Sequence, residues 1–201
     1  MRVGVMSEVV EIKCPGCGAR LQISQKECEY CHAPVIISTM NDIFNMSIQN
    51  ISKYQRSYES DLKENPDNAE LNNSLAFCYL KLGFYDKALE KFDKAIEQDL
   101  NNSETYLYAA ACILAGRKPF LTPRSEIDRI EKYINAALMM EEKGLYRYFQ
   151  AYIKYDYFKR KFFKTSPTWE ECLAHAQYDG LSLADVNQLF SILKQEIPDC
   201  M

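Results

Sequence analysis

Four cysteines near the N-terminus have the spacing of a metal site. They form two C-x2-C pairs, Cys14 with Cys17 and Cys28 with Cys31, separated by ten residues. Each pair can present two thiolates from one tight turn, and two such turns together make a tetrahedral cage of four sulfur atoms. The spacing predicts Zn2+ on all four cysteines, with an iron site and a redox dithiol or disulfide as alternatives. Because four protein ligands leave no open coordination position, we expect the zinc to be structural.

The residues around the cysteine pairs predict a small β-rich module. Apolar residues such as Val9 and Leu21 flank the first pair in a strand-like pattern. The first knuckle, CPGCG, resembles the zinc-ribbon family, and we predict a zinc ribbon over residues 1–37. The second knuckle, CEYCH, departs from the family because His32 stands where glycine is usual. Histidine tolerates a positive φ better than most residues, so we expect the turn to be kept.

Beyond the cysteines the sequence has the periodicity of amphipathic helices. Ser47 is predicted to cap a helix that ends at Asn65–Pro66. Residues 69–102 predict two antiparallel helices joined by a tight turn at Gly83, because apolar residues recur at helical spacing on both sides of that glycine.

The predicted hairpin over residues 69–102 resembles a tetratricopeptide repeat. Large and small residues alternate on its packing faces in the order that this 34-residue repeat uses. The matching residues are Leu75, Ala76, Tyr79, Gly83, Ala88, Phe92 and Ala95. The hairpin departs from the repeat at Asn72, where tryptophan is usual, and at Leu100, where proline is usual.

The resemblance implies a mainly α chain, built as a short α-solenoid of helical hairpins behind the zinc ribbon. A single hairpin cannot bury its apolar face, whereas about three stacked hairpins can. The predicted repeats cover residues 69–102, 103–142 and 143–164. Residues 38–68 are expected to form a connector and an incomplete repeat helix, and residues 165–201 to form capping helices.

The resemblance also implies a groove that binds a partner. In tetratricopeptide proteins the first helix of each hairpin lines a concave surface for a peptide or a partner protein. The positions carried over by the resemblance are Glu70, Asn73, Phe77, Leu80, Lys81, Glu104, Leu107, Ala111, Arg147 and Lys154. The function that follows is a non-enzymatic adaptor for an unidentified protein or peptide, with the ribbon as a structural or auxiliary contact.

Residues 145–164 suggest an alternative function. This stretch interleaves nine aromatic residues with six lysines and arginines in LYRYFQAYIKYDYFKRKFFK. Aromatic side chains that stack bases, together with positive charge, are typical of single-stranded nucleic-acid binding. The alternative is therefore nucleic-acid association through the ribbon and this segment. The same pattern is also typical of a buried helix with one solvated basic side.

The composition limits the classes of function. The formal net charge of −4 argues against a general nucleic-acid binder, which needs a basic surplus. The sequence shows neither a membrane span nor a signal peptide, and the cysteines favour a metal over disulfides, so we expect a cytoplasmic protein. A glycine-rich phosphate loop, a nucleophile elbow and a paired-carboxylate motif are all absent, so we expect no enzymatic activity.

Overall fold

A computed structural model describes residues 11–98 and 101–201 of the chain. This part is mainly helical and has a two-stranded antiparallel sheet near its N-terminal end, as the sequence predicted. The elements are β1 (Glu11–Lys13), β2 (Arg20–Gln22), α1 (Met40–Phe44), α2 (Ile48–Glu64), α3 (Ala69–Leu82), α4 (Tyr85–Glu97), α5 (Ser103–Leu114), a 3-10 turn (Pro119–Leu121), α6 (Arg124–Met140), α7 (Gly144–Ile153), a π-helical segment (Lys154–Lys159), α8 (Trp169–Tyr178) and α9 (Leu183–Leu193).

The sheet is short and buries one side of each strand. Ile12 of β1 pairs with Leu21 of β2, and both side chains are buried while their strand neighbours are exposed. This alternation follows from the strand geometry, in which successive side chains point to opposite faces. Val9 in the predicted ribbon and Leu100 in the predicted hairpin lie outside the described residues.

Local capping sets the ends of the first long helices. The Ser47 side chain accepts a hydrogen bond from the Asn50 N–H at the start of α2, and Asn68 does the same for Leu71 in α3. These bonds satisfy N–H groups that have no partner within the helix. Gly83 ends α3 with a φ of 81°, a left-handed conformation that glycine adopts without a steric penalty. The predicted turn at Gly83 is therefore confirmed.

Successive helices pack against one another along the chain. Each helix from α2 to α8 contacts the next, and the packing is closest within the pairs α3–α4, α5–α6 and α7–α8. The last helix, α9, turns back and contacts α5 and α7. In the described ranges, none of the helices has both the length and the apolar character that a membrane span requires.

The core between α3, α4 and α5 is built on aromatic contacts. The ring of Phe77 is fully buried and meets the ring of Phe92 edge-to-face at 5.2 Å between centroids. It meets the ring of Tyr108 in the same way at 5.6 Å. Such edge-to-face pairs are the favoured arrangement of aromatic rings. Phe77 therefore joins the hairpin α3–α4 to the next helix of the array.

The cysteine-bearing module is attached to α2 and α3 by hydrogen bonds to its backbone. The hydroxyls of Tyr54 and Tyr58 on α2 donate to the carbonyls of Pro34 and Val35, at 3.0 and 2.9 Å. On α3 the Ser74 hydroxyl accepts from the N–H of Ile37 at 3.0 Å and lies 3.1 Å from its carbonyl oxygen. The hydrogen bonds between Ile37 and Ser74 and between Tyr58 and Val35 are buried. The loss of either would leave an unsatisfied polar group.

Candidate functional site

The four predicted metal ligands lie together. The sulfur atoms of Cys14, Cys17, Cys28 and Cys31 all lie within 4.8 Å of one another. The Sγ atoms of Cys14 and Cys31 are 3.6 Å apart, and those of Cys17 and Cys28 are 3.7 Å apart. Over residues 11–98 and 101–201 this is the only group of three or more cysteine, histidine or carboxylate side chains close enough to share an ion.

The two knuckles have the same backbone arrangement. The N–H of Gly18 donates to the Cys14 carbonyl at 2.8 Å, and the N–H of His32 donates to the Cys28 carbonyl at 2.9 Å. Both turns end in the left-handed region, with φ of 79° at Gly18 and 57° at His32. Histidine therefore takes the glycine position as expected, and its side chain is exposed beside Glu27.

The geometry of the cluster fits a tetrahedral metal ion. A tetrahedron with metal–sulfur bonds of 2.3 Å has sulfur–sulfur edges of about 3.8 Å, close to the separations in the cluster. A disulfide would need a sulfur–sulfur bond of about 2.05 Å, and the cysteines are free. The cluster is therefore compatible with a metal site. All four cysteines would act as ligands, and the ion would supply folding energy and no open coordination position.

The thiols of the cluster differ in acidity. Burial raises the pKa of Cys28, but hydrogen bonds from the backbone N–H groups of Tyr30 and Cys31 and from neighbouring thiols outweigh it and lower the pKa to about 7. The N–H of Ala33 lowers the pKa of Cys31, yet burial and the neighbouring thiols raise it to about 12. Adjacent thiolates repel one another. The positive charge of a bound divalent cation would offset that repulsion, so coordinated thiols are deprotonated.

The structure places most of the predicted groove residues in the interior. Asn73, Phe77, Leu80, Leu107, Ala111 and Lys154 are all buried, with at most 5% of the residue exposed. Glu70 is exposed, and Lys81, Glu104 and Arg147 are partly exposed. The buried residues have partners within the protein, as Asn73 does in accepting from the Thr105 hydroxyl at 2.7 Å. Only the four accessible residues can meet a partner in this arrangement, and that role stays a prediction.

Two short segments of the chain itself cover this face. Helix α1 lies on α3, where the ring of its Phe44 lies 4.3 Å from the Lys81 ammonium. The N–H of Met40 in α1 donates to the Glu104 carboxylate at 3.2 Å. On α7 the ring of Phe190 from α9 packs against Tyr152 at 4.9 Å. The predicted surface is therefore partly occupied by α1 and α9.

A pocket of about 300 Å³ remains between α1, α5, α7, α8 and α9. We call it the central pocket. The polar side chains in its lining are Asn41, Glu104, Tyr108, Lys143, Tyr146, Asp179, Asp185 and Gln188. Gln188 is 7% exposed, and its Nε2 has no hydrogen-bond partner among the residues that the structure describes. Of these residues, the sequence analysis assigned only Glu104 to the groove. It missed Gln188, because no local pattern shows that α9 contributes to the same pocket as Glu104.

The aromatic segment 145–164 is mostly interior. Its buried aromatic residues are Tyr146, Tyr148, Phe149, Tyr152, Tyr157 and Phe158. Phe162 and Phe163 at its end are exposed, at 94% and 52%. A stacking surface along the whole segment is therefore not available, and the accessible aromatic and basic groups concentrate after Phe158.

Comparison with protein-family models finds no match to this chain, and comparison with curated proteins finds no significant relative.

Proposed function

We propose that the protein is a non-enzymatic adaptor, a short TPR-like solenoid that binds a partner protein or peptide at the central pocket. The hairpins α3–α4, α5–α6 and α7–α8 would be its repeats, and α3, α5 and α7 would carry the binding face. The observation that carries the proposal is the central pocket itself. It lies between α1, α5, α7, α8 and α9, and its lining includes Gln188, whose Nε2 has no hydrogen-bond partner among the described residues.

The lining of the pocket defines the partner's chemistry. Glu104, Asp179 and Asp185 contribute three carboxylates, against one ammonium from Lys143. Lys143 is already paired with Glu141 at 2.9 Å, and Asp179 lies 3.7 Å from Arg147, so the carboxylates of Glu104 and Asp185 remain in excess. A partner segment that enters with a positive charge is therefore favoured, and a carbonyl beside that charge would accept a hydrogen bond from the buried Gln188 amide. A lysine side chain in an extended peptide offers both groups.

Zn2+ would have an indirect role in this function. In the proposal the ion holds the residue 11–37 module together, and the module in turn keeps α1 beside Glu104 through the short connection from Ile37 to Met40. We place the adaptor in the cytoplasm, where reduced cysteines are available to bind metal.

Charge reversal in the pocket tests the proposal. Partners would be captured from native cells with the unmodified protein, and binding would then be measured with the purified partner. We expect Asp185→Lys to weaken binding roughly tenfold or more, because the partner would meet a positive charge in place of a negative one. The matched control is Asp128→Lys on α6, a partly exposed aspartate whose side chain pairs with Arg124. Equal binding by both variants would exclude the central pocket as the partner site.

A further inference from the structure

A second pocket, also of about 300 Å³, lies between the π-helical segment, the loop after it and the start of α8. We call it the lysine pocket. Its lining consists of Lys154, Lys159, Phe163, Lys164, Thr165, Thr168, Trp169 and Glu170. Three of these residues carry a positive charge and one carries a negative charge. The lining thus has a positive excess in a chain whose net charge is −4.

Lys154 is a buried charged residue in the lining of this pocket. It is 5% exposed, and the carboxylate paired with it in the described ranges is that of Glu131, at 3.6 Å. This separation is longer than a charge-assisted hydrogen bond, so the buried ammonium is only partly compensated. Lys154 is also the first residue of the π-helical segment. Such segments are rare and occur frequently at functional sites.

Trp169 contributes a hydrogen-bond donor to the lining of the same pocket. Its indole Nε1 is buried and makes no hydrogen bond within the part of the chain that the structure describes. A buried tryptophan N–H usually finds a partner. The aromatic body of Trp169, together with the half-exposed ring of Phe163, supplies apolar surface to the same pocket.

We infer that the lysine pocket binds a phosphate monoester, with the three lysines around the phosphate and with Phe163 and Trp169 against a planar apolar group. A dianionic phosphate gains more from three ammonium groups than a carboxylate does, and lysine is a common phosphate ligand. The threonine hydroxyls of Thr165 and Thr168 can also donate to phosphate oxygens. The ligand class is a nucleoside monophosphate, either free or at the phosphorylated end of a nucleic-acid strand.

Trp169 makes the inference directly measurable because it is the only tryptophan in the chain. Its fluorescence would be followed while the protein is titrated with AMP, with adenosine or with inorganic phosphate. We expect AMP to change the emission, adenosine to bind roughly tenfold more weakly or worse, and inorganic phosphate to compete with AMP. An emission that responds to adenosine as strongly as to AMP, or to none of the three, would overturn the inference.

Two exposed lysines test the site without disturbing the core. Lys159 and Lys164 are exposed, so the double variant Lys159→Glu/Lys164→Glu should fold, and we expect it to weaken AMP binding by roughly tenfold or more. Lys161→Glu is the matched control for the single variants Lys159→Glu and Lys164→Glu, because it makes the same charge change and Lys161 lies between the two in sequence but not in the pocket lining. Comparable weakening by the control would show a diffuse charge effect and contradict a phosphate site.

The source of the phosphate is decided by a third comparison. A short oligothymidylate with a 5′-phosphate would be titrated beside the same strand without it, and beside AMP. Tighter binding of the phosphorylated strand than of AMP assigns the pocket to strand ends, whereas tighter binding of AMP assigns it to free nucleotides. Equal binding of the two strands, with both as tight as AMP, would overturn the inference. The Asp185→Lys variant should bind AMP normally, so this result is independent of the adaptor proposal.

Discussion

The ribbon (residues 11–37) and the helical array (α2 to α9) reach stability by different means. The ribbon has two strands of three residues each and buries only a few side chains, including Ile12 and Leu21. The array buries large aromatic and aliphatic side chains along its whole length. A module as small as the ribbon buries little apolar surface, so we expect the cysteine cluster to contribute to its stability by binding a metal ion.

The difference shows how one chain combines two kinds of cooperativity. The array has contacts spread over many helices, whereas we expect the stability of the ribbon to depend on one metal ion held by four sulfur atoms. The two meet where Tyr54, Tyr58 and Ser74 hold the backbone of residues 34–37.

Loss of the metal should have the largest effect and should act on the ribbon alone. Structural zinc contributes on the order of 10 kcal/mol in small modules, so a chelator or Cys28→Ser should unfold the ribbon. Hydrogen exchange should show protection lost over residues 11–35 and kept in α3 to α7. Cys200→Ser is the control, since Cys200 is exposed and distant in sequence from the cluster. Loss of protection throughout the array would contradict the comparison.

A cavity in the array should have the opposite outcome. Phe77→Ala removes a fully buried ring that contacts Phe92 and Tyr108, and we expect it to cost about 3–5 kcal/mol of unfolding free energy. Denaturant titration measures this loss, while the metal content of the folded protein should not change. Phe162→Ala, at a ring that is 94% exposed, should change stability by less than about 0.5 kcal/mol. A large drop in metal content for Phe77→Ala would show that the ribbon and the array behave as one cooperative unit.

The junction should show an intermediate effect. Ser74→Ala leaves the N–H of Ile37 without its acceptor at a buried position, which should cost about 1–3 kcal/mol. We expect hydrogen exchange to increase at Ile37 and in the ribbon more than in α5 or α6. Ser52→Ala is the control, because the Ser52 hydroxyl donates only to the carbonyl of Ile48 in its own helix. An effect of Ser74→Ala confined to α3 would show that the ribbon is held by other contacts.

The two knuckles should show the smallest effect. Gly18→Ala places a side chain at a φ of 79° where no atom lies within 4 Å, so the cost of about 1–2 kcal/mol is conformational. His32→Gly relieves a φ of 57° and should change the metal affinity by less than the Gly18 variant does. Competition with a chelator measures both affinities. A larger loss of metal affinity for His32→Gly than for Gly18→Ala would indicate that the exposed His32 side chain contributes to metal binding.

The local features of the fold could be predicted because neighbouring residues determine them. The spacing of the cysteine pairs predicted the cluster, and Ser47 and Gly83 marked helix ends that the structure confirms. Such local signals could not predict which part of the predicted groove stays accessible, because this depends on contacts between distant parts of the chain. The hydroxyl of Tyr85 donates to the carbonyl of Ile192, 107 residues along the chain, and no local pattern indicates that contact.

The groove residues illustrate the same limit. The resemblance assigned Phe77 and Leu107 to an open surface, yet both are fully buried. Helical periodicity shows that such residues share an apolar face, but it does not show whether a partner or another part of the same chain covers that face. The lysine pocket also depends on an unforeseen feature, because a π-helical segment follows α7 and α8 lies beside it.

By itself, the sequence determined the mainly helical class, the short sheet and the four cysteines of the cluster, since capping, turns and ligand spacing are short-range interactions. Only the tertiary structure decided that α1 and α9 cover part of the predicted groove beside the central pocket, and that the π-helical segment and α8 enclose the lysine pocket. The physical reason is that burial depends on which distant surfaces meet, and that choice is made by the packing of the whole chain.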